Sequence, residues 1–261
     1  MCIRDRMDMA EYVTDYTSLA ARLICPLLKN LSAEDELTEK ARLMLVEWED
    51  HQLNPDSKEA AIYVTWERLL KDKMESLVIP KEIRAISGLQ LTKVVNWLVF
   101  PDGKFGADPI KERDAFIVQA LEESVNTLKV ILGNDMSNWH YGQEKFKHIK
   151  LRHPMSAAVD SITREKLEVG PHPRGGNGTT VGSTGNNDNQ SSGASFRVII
   201  DTGDFDSSLF TNSPGQSGDP DSPFYKNLFD TWAKDKFFPL FYSREKVESV
   251  KVTSIKLVPK K

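Results

Sequence analysis

Four of the five histidines, His140, His148, His153 and His172, fall within one stretch, so a metal centre is the first chemistry to weigh. A zinc site of the protease type needs ligands paired at helical spacing, as in H-E-x-x-H, and neither that spacing nor a nearby cysteine is present. These histidines therefore read as solvated or structural. Asp201, Asp204 and Asp206, followed by Asp219 and Asp221, could collect calcium, because a hard cation takes several oxygens from a flexible loop. Their order lacks the D-x-D-x-D-G of an EF-hand, and turns in which aspartates accept from their own backbone explain the run more simply.

Three nucleophile or phosphate motifs fall short. Gly215 to Gly218 (GQSG) has the start of a nucleophile elbow, but Asp219 stands where the last glycine is needed and no strand leads directly into it, so Ser217 reads as a turn residue. Gly170 to Gly175 has the glycine frame of a phosphate loop, with Gly176 and Asn177 where Lys and Ser or Thr are required. Removal of Met1 would expose Cys2 as an N-terminal nucleophile, whose α-amine could act as its base, yet such a group needs a packed site around it.

The elements that would position these groups divide the chain. Met9, Tyr12, Val13, Tyr16, Leu19, Ala20, Leu23, Ile24, Leu27 and Leu28 recur at helical spacing and predict one long helix that Pro26 kinks or divides. A second helix is expected over 33–49. A third follows Asp56 and Glu59, which match a capping box, and runs through Leu70. Leu89 to Leu98 reads as a short helix. Asp108 and Pro109 cap the best amphipathic helix, which carries Phe116, Ile117, Leu121, Val125 and Leu128 and stops at Gly133. Trp139 to Val159 reads as loop and short helix.

From Gly170 to Gly218 helical sequence gives way to Gly-rich turns and a strand, Ser195 to Asp201 (SFRVIID). A shorter strand at Thr179 to Val181 would join it through the exposed loop Gly185 to Gly193. The Pro and Gly spacing downstream predicts backbone passing close to something. A helix is expected from Pro223 to about Lys234 and a terminal strand from Val247 to Leu257.

Composition closes off several function classes. At 261 residues, with 39% hydrophobic and 28% charged, the chain can bury a sizeable core. A net charge of -4 gives no basic face for nucleic acid, and no apolar run reaches membrane-spanning length. Two cysteines make no disulfide framework. The opening MCIRDR lacks a signal peptide's apolar core and reads as neither a helix cap nor a targeting segment. Residues 1–6 are read as an artefactual start on a truncated gene model, with a mainly helical region over 7–165 and a β-rich region over 166–261.

Arg174 to Val181 (RGGNGTTV), then GASFRVIIDTGDFD, then NSPGQSGDPDSPFYKNLFDTWAKDKFFPLFYS, in that order and spacing, resemble the C-terminal end of penicillin acylase (penicillin amidase) family proteins. The resemblance reaches back through NWHYGQEKFKHIKLRHPMSAAV to about Met7. It implies an α+β chain forming part of a four-layer αββα N-terminal nucleophile hydrolase, with a helical first part followed by antiparallel strands. It further implies an autoproteolytic periplasmic precursor whose exposed serine cleaves the linear amide of a small N-acyl compound.

None of that machinery is placed on this sequence: the serine, the oxyanion asparagine, a nearby arginine and the family's calcium ligands are all expected upstream. The chain is thus expected to be inactive alone and to need the remainder of the precursor, with no cofactor of its own. The family segment matching Gly175 to Thr180 lies near the nucleophile, which makes Asn177 and Thr179 the polar candidates for substrate or supporting contacts. Asn177 could equally fill a turn between two glycines, since Asn tolerates positive φ. A reading from a different class is a non-catalytic, calcium-assisted carbohydrate- or protein-binding module built on the C-terminal strands.

Overall fold

The computed structural model describes residues 5–259; Cys2 lies outside them. Six helices come first: α1 (Arg6–Val13), α2 (Leu19–Ile24), α3 (Glu36–Glu47), α4 (Lys58–Val78), α5 (Leu91–Val99) and α6 (Pro109–Leu132). They are followed by β1 (His148–Leu151), α7 (Ser161–Leu167), β2 (Val169–Pro173), β3 (Arg197–Ile199), β4 (Ser208–Thr211), α8 (Phe229–Ala233), β5 (Phe238–Leu240) and α9 (Arg244–Val250). The chain divides into two compact units, one of residues 15–150 with 171–193, the other of residues 1–14, 151–170 and 194–261.

The helical unit is built on α4 and α6. Tyr63, Trp66 and Leu70 of α4 meet Ile117, Leu121, Val125 and Leu128 of α6 in one buried cluster, and each such side chain contributes about 1.5–3 kcal/mol by leaving water. Polar side chains fix the helices at single points. Trp66 Nε1 donates to Ile117 O at 3.0 Å, and Arg42 Nη1 donates to Leu28 O at 2.8 Å. Arg113 Nη1 donates to Leu98 O, tying α6 to α5.

Several sequence expectations hold at the caps and others shift. Asp108 Oδ1 accepts from Lys111 N ahead of Pro109, and Gly133 ends α6 with φ 92°. The cap of α4 is Ser57, one residue beyond the expected Asp56: its Oγ accepts from Ala60 N at 3.0 Å and donates to Glu59. The opening does carry a cap, because Asp5 Oδ1 accepts from Met7 N and Asp8 N while Asp8 accepts from Asp5 N.

The predicted first helix is two helices. Asp15 Oδ1 accepts from Thr17 N, Thr17 Oγ1 and Gln52 Nε2, and this local turn outcompetes helical bonding before Ser18 caps α2. Pro26 falls in a 3₁₀ turn, Cys25–Leu28, that continues α2. Strand β1 was not legible in the sequence and pairs with β2 in a two-stranded sheet.

The second unit carries an antiparallel sheet in the order β3-β4-β5, with Arg197 opposite Thr211 and Phe210 opposite both Val198 and Phe238. The expected strand over 195–201 is paired only over β3. Below it, Phe229, Trp232 and Ala233 of α8 are buried with Ile199 and Tyr225. Arg197 locks sheet to helix: Nη1 pairs with Asp235 at 2.6 Å, Nη2 donates to Trp232 O, and the guanidinium lies over the Trp232 and Phe237 rings. The helix expected from Pro223 is confined to α8, since Pro220 and Pro223 lack N–H donors and the chain there runs in tight turns.

Two predicted strands are absent. Thr179 to Val181 is a turn, in which Thr179 N donates to the Asn177 side chain and Val181 O accepts from Ser183 N. Val247 to Leu257 begins instead as α9, capped by Ser243 Oγ on Lys246 N, and then runs unpaired. Alternation alone did not make it a strand, as Val252 and Leu257, about 90% exposed, have no sheet face to enter.

Candidate functional site

The site begins at two glycines laid against a ring. A Cβ on Gly175 would stand 2.6 Å from Tyr16 Cε2 and from Leu53 O, and one on Gly176 would stand 2.5 Å from Tyr16 Cδ1. Only glycine lets the backbone approach this closely, and Gly176 also has φ +67°. The pair is pinned from both sides: Gly176 N donates to Leu53 O at 2.8 Å, and Tyr141 Oη donates to Gly176 O at 2.8 Å. The glycine frame over 170–175 leads into this turn out of β2, so it is no phosphate loop.

Asn177 follows, only 3% exposed. Its Oδ1 accepts from Thr179 N and Thr179 Oγ1, both at 2.8 Å. A backbone N–H can only donate, so the oxygen must face Thr179, and the Asn177 Nδ2 donates to none of the described residues. Positive φ falls on Gly176 and not on Asn177, which corrects the reason given for an asparagine there. Asn177 instead organises a side-chain turn, and Thr179 sits exposed at its tip. Thr180 Oγ1 accepts from Asn177 N, Thr184 N donates to Asn177 O, and Thr184 Oγ1 donates to Gly175 O.

Beneath this turn lies a residue that sequence reasoning missed. Lys147 is fully buried, and its Nζ donates to Thr184 O at 3.2 Å, Gly185 O at 2.8 Å and Asn187 O at 2.8 Å. Burial, aided by the Arg68 guanidinium and opposed by the Asp188 carboxylate, pushes it down to about 7. Arg68 braces the same segment through Asp188 at 2.8 Å and Asn186 O at 2.9 Å. In sequence Lys147 is one lysine among several in EKFKHIK, and nothing there marks it.

The other candidates are engaged with backbone groups. His140, His148 and His172 each place Nδ1 against a backbone carbonyl, and His153 Nδ1 accepts from Met155 N. Asp201 Oδ1 accepts from Gly203 N and Asp204 N, Asp204 accepts from Asp206 N and Ser207 Oγ, and Asp206 Oδ1 accepts from Tyr242 N and Ser243 N. Among the described residues no group of three or more His, Cys, Asp or Glu could hold a metal ion. Ser217 is a turn residue whose Oγ accepts from Asp219 N. The close backbone approach expected there is at Gly215, where a Cβ would collide with Phe224 O. Among the described residues no helix is long and apolar enough to cross a membrane.

Helices first and an antiparallel sheet after the Gly-rich turn is the order of elements expected from the sequence. The family pattern described as Penicillin amidase matches residues 4–249, and the chain belongs to that family of amidohydrolases. It is 25% identical over 267 aligned residues to the Penicillin acylase 2 proenzyme of Pseudomonas sp. (strain SE83), covering 97% of this chain and 33% of that protein. It is 26% identical over 210 residues to the acyl-homoserine lactone acylase QuiP of Pseudomonas fluorescens (strain Pf0-1), covering 73% of this chain and 24% of the relative. The fold is shared with a thermostable penicillin G acylase from Alcaligenes faecalis, at a TM-score of 0.54 and 17% identity over 95% of this chain and 48% of the other. The chain thus spans about a third or less of the relatives' length and about half of the solved chain.

Proposed function

We propose that this chain forms the C-terminal part of the large chain of a penicillin amidase family acylase that hydrolyses the linear amide of a small N-acyl compound. The observation that carries the reading is the family match through residues 4–249, combined with a span of only a third of the proenzyme relative. The nucleophile is a serine upstream of these residues, exposed by internal cleavage of a periplasmic precursor. Its Oγ bonds to the amide carbon, its α-amine takes the hydroxyl proton and passes it to the nitrogen, which departs as the amine, and water then cleaves the ester to release the acid and restore the serine. This chain supplies walls and no cofactor; calcium ligands and the oxyanion donors lie upstream with the serine.

Within the chain, Asn177 and Thr179 are the residues we assign to the substrate side. The Nδ2 of Asn177, which donates to none of the described residues, is a donor held by a turn, which suits it to an acyl or amide carbonyl or to a group that touches one. Penicillin and acyl-homoserine lactones, which the relatives' names carry, define the substrates to try first. The test compares the 261-residue chain with a polypeptide extended upstream to a processing serine, on penicillin G, an acyl-homoserine lactone and a chromogenic N-acyl anilide. Turnover by the extended protein only is expected. Turnover by the short chain, or an upstream frame closed by a stop codon, would overturn the reading.

A further inference from the structure

We infer that Lys147 is the positioning residue of the Asn177 turn: its buried side-chain nitrogen fixes the 184–187 segment, and that segment in turn fixes residues 175–180.

The two steps are separate sets of bonds. In the first, three N–H groups of one side chain meet three carbonyls of the same short segment, Thr184 O, Gly185 O and Asn187 O. A Lys ammonium has three N–H donors, so in its protonated form this one is saturated by a single strip of backbone. Such carbonyls point inward around a centre, as they do around a bound cation, and nothing apolar can replace the centre without leaving buried acceptors unpaired. In the second step, the strip reaches across to the turn. Thr184 N donates to Asn177 O at 3.1 Å, Thr184 Oγ1 donates to Gly175 O at 2.8 Å, and Asn186 Oδ1 accepts from Gly178 N at 3.0 Å. Lys147 touches neither Asn177 nor Thr179 through any of these bonds and acts on them only through the strip. Its own backbone is anchored independently, with Lys147 N donating to Tyr141 O and Lys147 O accepting from Arg174 N.

The functional meaning for an acylase wall rests on the reading above, but the structural order is tested without any acylase assay. Amide hydrogen exchange is read residue by residue on the 261-residue chain, in wild type, Lys147→Met and Thr184→Val. In Lys147→Met the amides of Gly178, Thr179 and Thr184 lose at least about tenfold protection, while those of α4 and α6 stay within about threefold of wild type. In Thr184→Val, which keeps Lys147, the amides of Gly178 and Thr179 loosen while the Lys147 side-chain nitrogen resonance stays where it is in wild type. Unchanged protection at the three amides in Lys147→Met overturns the inference. So does a loss spread evenly over α4 and α6, or an unfolded Lys147→Met, since Lys147 would then support the whole bundle and not the turn. A shifted Lys147 resonance in Thr184→Val would reverse the order of dependence and sink it as well.

Discussion

The ring of Tyr16 lies against the backbone of Gly176, close enough that a methyl group on that glycine would fall 2.5 Å from Tyr16 Cδ1. The same ring faces Gly175 and sits 5.9 Å from the Arg174 guanidinium, so one aromatic side chain fixes the base of the candidate site. Gly176→Ala combines a positive φ with a clash on buried atoms. It is expected to destabilise the helical unit by about 2–4 kcal/mol, the range of overpacking plus backbone strain. Urea unfolding of the variant measures this; a loss under about 0.5 kcal/mol would mean that the ring moves aside freely.

Lys147 makes stability depend on pH in an unusual direction. Its value is pushed from 10.5 to about 7 in the fold. Between those values the unfolded chain holds a proton that the folded chain has released, so stability rises as pH increases from 7 towards 10 and is lowest below 7. Lys147→Met removes this slope. The check is the difference in unfolding free energy between wild type and variant at pH 6.5 and pH 9.5, which should grow with pH; a flat difference would place the group near its ordinary value.

Arg197 and Asp235 form a largely buried pair, with 10% and 18% of their side chains exposed. Arg197→Met removes this ion pair together with the bond to Trp232 O and is expected to cost about 3–5 kcal/mol. Thermal unfolding followed by tryptophan fluorescence reads the loss, because Trp232 packs on the same guanidinium.

The aspartates of the 201–206 turn separate the acylase reading from the calcium-assisted binding module. Their carboxylates accept backbone N–H bonds, and on Asp206 hydrogen bonds from the Ser243 side chain and backbone, with a further one from Tyr242 N, hold it below the usual carboxylate range. Adding calcium or EDTA to the 261-residue chain is therefore expected to leave its melting temperature unchanged. A calcium-dependent rise that Asp204→Ala abolishes would favour the module.

Removing residues 251–261 tests the unpaired tail. Among its described residues the side chains are exposed, so truncation after Val250 is expected to change stability by less than about 0.5 kcal/mol.

The helices were largely legible because each advertises itself locally. Asp108, Pro109 and Gly133 bracket α6, and the apolar spacing from Ile117 to Leu128 names its buried face. Where reading failed, the deciding bond came from elsewhere in the chain or from a competing local turn. Asp15 breaks the first helix with help from Gln52, thirty-seven residues away, and β1 exists through pairing that its own four residues do not announce. The family was legible from ordered motifs around Arg197, Ser213 and Pro223, and the matches to penicillin amidase relatives agree with it.

The sequence by itself determined the helical first part and the family, because caps, periodicity and motif order are properties of neighbouring residues. Only the tertiary structure decided which polar groups remain free and which are consumed. Thr179 takes the Asn177 oxygen, and Lys147 becomes the centre of three carbonyls because the chain returns to it about forty residues later. Burial supplies the physical reason: a hydrogen-bonding group excluded from water must find a partner wherever the fold places one, and sequence distance does not limit where that is.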